Sequence, residues 1–230
     1  MTQPRESRLV GALLVLTVTT GLIDAVSYLA LGHVFTANMT GNVVFLAFAV
    51  AGAPGLSIPR SAVSLGAFLA GAVAGGRLAA RRGTGPQQRW VATAFAVEAV
   101  LLLAAALAAA AGTRTAQFAV YGVIVLTALA MGVRNATVRK IALPDLTTTV
   151  LTLTLTGLAA DSALAGGANP RAWRRGASVL SMFSGAAAGA LLLRNSLVLP
   201  LVVGGVVSCG CAITIALTGR AVDAAPSPRA

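Results

Sequence analysis

Acids are rare in this chain, and their placement is informative. Asp24 sits in the stretch TGLIDAVSYLALGHVFTANMTGN (20–42), and no Asp, Glu, Lys or Arg follows it from Ala25 to Pro59. Thr36, Asn38, Thr40 and Asn42 come behind it on alternate positions. An acid with a ladder of amides and hydroxyls is costly in hydrocarbon. It marks either a proton- or cation-binding carboxylate in a translocation path or a structural acid hydrogen-bonded between helices. A second ladder, Thr152, Thr154 and Thr156, recurs late in the chain, with Asn135 before it and Asp161 after it. Glu98 stands in an Ala-rich run, as a path residue or an interhelical hydrogen-bond partner. Asp161 either joins the site or pairs with Arg171, Arg174 or Arg175 at the surface. The candidate substrate- or ion-binding set is therefore Asp24, Thr36, Asn38, Thr40, Asn42, Asn135, Thr152, Thr154, Thr156 and Asp161, with Glu98 and Arg134 as secondary members.

Other chemistries lack their residues. His33 is the single histidine and reads as a loop residue. There is no nucleophile–base pair, metal set or Gly-rich phosphate loop, so no catalytic residue, metal or cofactor is expected. Cys209 and Cys211 form neither a disulfide framework nor a Cys-x-x-Cys motif and read as small packing residues. The formal net charge of +11 does not point to nucleic acid. The basic residues cluster at the ends of apolar runs, as in membrane proteins, rather than in one patch with interleaved aromatics.

The elements that must position these residues are membrane spans. The chain of 230 residues is 57% apolar and 10% charged, against about 25% charged in soluble domains. Several apolar runs reach the roughly 20 residues that cross a bilayer. The first run resembles a signal peptide, but it leads into Asp24 without a clean cleavage site and is expected to remain as the first span. Segment A covers about 9–31, with Thr17, Thr20, Gly21, Asp24, Ser27 and Tyr28 as one polar stripe. Segment B, about 34–51, carries the first ladder. Segment C, about 61–80, carries Gly71-x-x-x-Gly75, a spacing that lets helix backbones approach closely. Segment D is about 90–111.

The pattern then repeats, as A′ (about 116–138), B′ (about 146–164), C′ (about 176–193) and D′ (about 196–217). Gly21-x-x-Asp24-Ala25 matches Gly132-x-x-Asn135-Ala136. Thr36, Asn38, Thr40 and Gly41 match Thr152, Thr154, Thr156 and Gly157. Gly71-x-x-x-Gly75 matches Gly185-x-x-x-Gly189. Such a duplication is typical of transporters. It divides one transmembrane domain, 1–230, into repeats of about 9–112 and 116–218 with short tails, 1–8 and 219–230.

Charge decides the topology. If all eight segments cross, the basic residues divide almost evenly between the two sides. If B and B′ dip in and return, only Arg60, Arg114 and Arg194 lie outside, fourteen against three. The positive-inside rule selects the second arrangement. The expected fold is thus an all-α integral membrane protein with about six transmembrane helices and two re-entrant or broken segments in an inverted repeat. Both termini and the loops around Arg82, Lys140 and Arg174 are expected in the cytoplasm. Gly41 and Gly157 are expected at or near breaks in B and B′, and Asp24 is expected to share one site with the Thr36–Asn42 ladder, with Asn38 and Thr40 as its donors. Counting along the helices puts Arg134 on the order of 16 Å from Asp24 in depth, at the inner headgroups or the mouth of a cavity.

The 20–42 stretch, followed by the later Gly-x-x-Asn-Ala and Thr-Leu-Thr-Gly pieces, resembles the YoaK-like family of bacterial membrane proteins, known mainly as a domain of unknown function. The resemblance runs from about Val10 to Leu217. Members tend to carry Gln before the Asn, where this chain has Arg134. The resemblance implies a multi-pass inner-membrane protein with around six spans and supplies no substrate, cofactor or catalytic residue. The functional reading is a small-solute transporter or channel with a polar site between the repeats; the alternative is a structural or partner-binding membrane protein. Expected partners are the lipid bilayer, an unknown small solute or ion, and a second copy if the Gly-x-x-x-Gly faces pack between chains rather than within one.

Overall fold

The computed structural model of the chain describes residues 3–82, 87–112, 116–142 and 151–223. The beginning of B′ (146–150), Arg114, Arg229 and the side chains of Arg5, Arg82 and Arg220 lie outside the described residues. Among the described residues six helices are long and apolar enough to span a membrane: α1 (Gln3–Ala30), α3 (Ile58–Arg82), α4 (Gln87–Ala111), α5 (Ala116–Ile141), α7 (Ala172–Leu193) and α8 (Val198–Asp223). Two short ones, α2 (Met39–Val50) and α6 (Leu151–Ala160), are not. A 12-residue helix extends only about 18 Å, so α2 and the shorter α6 cannot themselves cross a bilayer, in keeping with the charge pattern. Helix is the dictated state here, because hydrocarbon offers the backbone no outside hydrogen-bond partner.

The repeats interlock rather than sit side by side. α1 of the first repeat packs along α7 of the second, and α3 of the first packs along α5 of the second. Glycines make both crossings. A Cβ on Gly185 would strike the backbone of Val18, one on Gly21 the backbone of Met182 and Ala186, and one on Gly189 the backbone of Leu22 and the Ala25 Cβ. In the other crossing Gly71 abuts Leu129, Gly75 abuts Val133 and Ala136, and Gly132 abuts Phe68 and Ala72. The Gly-x-x-x-Gly faces therefore pack within one chain. The residue numbers rise together in each crossing, so both pairs are parallel. α4 runs antiparallel to α5, with Gly112 against Ala119, and to α8, with Gly205 against Leu103 and Gly219 against Gln88. The resulting up–down order is that of an inverted repeat.

That order gathers Arg8, Arg77, Arg81, Arg89, Arg139, Lys140, Arg171 and Arg174 at one end of the bundle, and Arg60 and Arg194 at the other. At the sparsely charged end, α1 stops before Gly32, at φ +89°, and His33, at φ +56°. Gly32 takes this conformation without steric cost and lies under the Arg60 guanidinium. The chain then reverses. Residues 34–38 descend beside α1 in a non-helical leg, and α2 climbs back toward the same end. The alternate polar positions of B are thus split: Thr36 and Asn38 lie in the descending leg, Thr40 and Asn42 in the first turn of α2.

The glycine crossings yield a direct prediction. Gly185→Ala should cost about 1–3 kcal/mol of stability by overpacking. Gly66→Ala, where a Cβ meets open space, should cost nothing. Unfolding midpoints in detergent measure both; equal midpoints would contradict the close-approach account.

Candidate functional site

The descending leg brings its backbone to Asp24. The Ala37 amide donates to Asp24 Oδ1 at 3.0 Å, and the flanking Thr36 and Asn38 amides also turn to the carboxylate. Asp24 and the B motif do form one locus, but the donors are backbone amides, not the Asn38 and Thr40 side chains expected from the sequence. Asn38 is occupied as the N-cap of α2, its Oδ1 accepting from the Gly41 amide at 3.3 Å. Capping of this kind satisfies a helix-start donor that would otherwise be orphaned.

Asn42 has a different task. Its Oδ1 accepts from the Phe35 amide at 2.9 Å, and its Nδ2 donates to the Phe35 carbonyl and to Ser64 Oγ at 3.1 Å. Ser64 Oγ in turn donates to the Phe35 carbonyl at 2.6 Å. This knot pins the leg to α2 and α3. Phe35 stacks on Tyr28 and Phe45, with centroids 5.1 and 5.6 Å away, and His33 meets Tyr28 edge-on at 5.1 Å. Gly41 lies within the first turn of α2, where a Cβ would meet the Phe35 ring at 2.8 Å. Thr36 is fully buried, and its hydroxyl has no partner among the described residues.

A cavity of about 390 Å³ opens beside Asp24. Thr20 and Asp24 of α1 line it, with residues 37–41, Phe68 of α3, Met182 of α7, and Leu151 and Thr152 of α6. α2 and α6 thus both begin at this cavity and run to opposite ends of the bundle. Of the expected site residues it unites Asp24, Asn38, Thr40 and Thr152.

The others lie elsewhere. Thr154 is buried away from the lining, and Thr156 is exposed, donating to the Thr152 carbonyl at 2.9 Å. Asn135 donates to the Met131 carbonyl of its own helix at 2.8 Å. Asp161 pairs with Arg175 at 2.6 Å, near the densely charged end. Gly157 lies inside α6, three residues before that helix ends, where a Cβ would meet the Arg175 guanidinium carbon at 2.8 Å. Arg175 also donates to the Gly157 carbonyl at 2.7 Å, so this glycine seats an arginine.

Arg134 departs most from expectation. It is fully buried rather than at the headgroups, and it does not line the cavity. Its guanidinium grips Glu98 with two nitrogens: Nε donates to Oε2 at 2.8 Å, and Nη2 to Oε1. Nη1 donates to the Leu16 carbonyl at 2.6 Å and to Thr20 Oγ1 at 2.7 Å, and Ser208 Oγ donates to Glu98 Oε1 at 2.6 Å. Counting backbone positions missed the reach of the guanidinium toward α1 and the countercharge on α4. Glu98 takes the interhelical role, and the network ties α1, α4, α5 and α8 one turn below Asp24. Bidentate Arg–carboxylate geometry with every other donor satisfied is what makes such a pair tolerable away from water.

Several contributors were not singled out from sequence: Phe68, Met182, Ser64 and Ser208. For the first two a signal existed. Phe68 and Met182 each stand three residues before the first glycine of a Gly-x-x-x-Gly pair, so they are repeat mates on opposing walls. Among the described residues no group of three or more His, Cys, Asp or Glu could hold a metal ion.

Removing one charge of the buried pair should be severe. Glu98→Gln is expected to lose about 3–5 kcal/mol, because it strands Arg134. Thermal unfolding in detergent checks this; a loss below about 1 kcal/mol, the level of an exposed pair, would contradict it.

The family model described as "Protein of unknown function (DUF1275)" matches residues 12–216. The chain is also 32% identical over 146 residues to the "UPF0700 transmembrane protein YoaK" of Bacillus subtilis (strain 168), a match spanning 64% of this chain and 64% of that protein. No solved structure matches. The match across nearly the whole bundle, together with the six spanning helices, places the chain in the DUF1275 family as a multi-pass bacterial membrane protein.

Proposed function

We propose that the protein moves a small solute across the membrane, with the cavity beside Asp24 as its binding site. The observation that carries this reading is the convergence at that cavity of two half-helices leading from opposite ends of the bundle. Interrupted helices meeting between inverted repeats are how many secondary transporters build a site reachable from either side. An intramembrane acid on its wall is a functional feature by default. The alternative, a structural or partner-binding membrane protein, accounts for the Asn42 knot and the Arg134–Glu98 pair, both of which are satisfied internally. It gives the cavity no task. Read by the positive-inside rule, the dense positive end supports a cytoplasmic side carrying both termini.

The test is solute flux in proteoliposomes across a metabolite panel, with and without a proton gradient. Thr152→Trp, which fills the cavity from the start of α6, should lower flux at least tenfold while the protein stays folded and monodisperse. Undiminished flux in that variant would remove the cavity from the path.

A further inference from the structure

Among the described residues, Asp24 is the one ionisable side chain on the cavity wall. α2, α3, α6 and α7 bring only uncharged side chains to that wall. The charged groups packed below it, Arg134 of α5 and Glu98 of α4, are committed to each other. The backbone amides of the descending leg hold the carboxylate, and Asp24 lines the cavity beside them. A carboxylate in hydrocarbon calls for a countercharge, and among the described residues no side chain on the cavity wall supplies one.

Size and wall chemistry narrow what can supply it. The cavity, at about 390 Å³, lies within the range of small-molecule sites, roughly 300–1,000 Å³, and far exceeds the volume of one water, about 30 Å³. A bare inorganic ion would leave most of it empty. Phe68, Met39 and Met182 offer an aromatic ring and two thioethers, polarizable surfaces that suit the carbon part of an ammonium ion. Thr20, Thr40 and Thr152 add uncharged hydroxyls.

Resting on the transport reading above, we propose that the solute is a small organic monocation that exchanges with a proton at Asp24. The carboxylate is neutral with the proton on it and neutralised again with the cation beside it. As the cation arrives, the proton leaves to water; as the cation departs, a proton returns. One positive charge crosses in each direction, so the cycle moves no net charge.

The experiment uses the full chain in proteoliposomes with an acidic lumen and radiolabelled tetramethylammonium outside, a cation that cannot cross as a neutral base. Glycine betaine, methanesulfonate and urea serve as zwitterionic, anionic and neutral probes. Tetramethylammonium should accumulate at least tenfold over protein-free vesicles, only with the acidic lumen. Its half-saturation concentration should rise as external pH falls, since protons compete for the same carboxylate. Asp24→Asn should abolish accumulation, whereas Asp24→Glu should retain it. If the asparagine variant fails to fold, the competition in the wild-type protein still decides. Flux of betaine, methanesulfonate or urea without flux of tetramethylammonium would overturn the cation assignment and leave the transport reading standing. Tetramethylammonium flux unaltered by pH or by Asp24→Asn would overturn the exchange at Asp24. If none of the four moves, the cation assignment falls, and the metabolite panel with Thr152→Trp judges transport separately.

Discussion

Two backbone-to-backbone crossings organise this bundle. Where α1 meets α7 and α3 meets α5, glycines bring the chains so close that a single methyl group would collide with a neighbouring backbone. Lipid tails are as apolar as the side chains, so close packing rather than hydrophobic burial holds such helices together. The crossings fix α1 beside α7, and hence Asp24 near Met182, and they set Phe68 against the start of the second crossing. The cavity lies between the two contacts, and α2 and α6 enter it from opposite ends.

The two repeats share this scaffold and differ in charge. Asp24 in the first corresponds to Asn135 in the second, and Ile23 stands where the second repeat has Arg134. Ile23 packs near Gly204 and Leu102 in an apolar core; Arg134 instead pairs with Glu98 and reaches Thr20. Thr20 links the two charged places, accepting from Arg134 while its neighbour one turn along, Asp24, faces the cavity. One half of the pseudo-symmetric core is locked by an ion pair, and the other holds a carboxylate with no side-chain counterion on the cavity wall among the described residues. This asymmetry separates a structural network from a candidate binding group.

The spans, the two short segments and the glycine crossings were legible because each rests on local pattern: apolar length, basic flanks and small residues four apart. The motif Gly21-x-x-Asp24-Ala25 recurs as Gly132-x-x-Asn135-Ala136 for a packing reason, since its glycine abuts the partner helix's backbone and its alanine meets the second glycine of the partner's Gly-x-x-x-Gly. Asp24 was legible as an acid without neighbours in the sequence. Its donors were not, because every residue has an amide and only the fold decides which ones converge. Arg134 was misplaced because backbone depth says nothing of a long side chain that finds its acid on another helix. The Thr154 and Thr156 assignments failed for a related reason. In α6 Thr154 points to the other side of the helix from Thr152, and Thr156, on the same side, lies one turn farther from the cavity, so of the three Thr152 alone lines it.

The central claim is that half-helices from opposite ends of the bundle meet in one water-accessible cavity at Asp24. It is tested most directly by thiol reactivity at Thr40→Cys and Thr152→Cys, each made in a Cys209→Ser background because Cys209 is exposed and Cys211 is buried. The account predicts that a small hydrophilic methanethiosulfonate modifies both positions, and that a short bifunctional thiol reagent joins them in the double variant. Leu13→Cys, at a fully buried core position, should stay unreactive. If Thr40→Cys and Thr152→Cys are as inert as Leu13→Cys, the two segments are packed dry and the account is wrong.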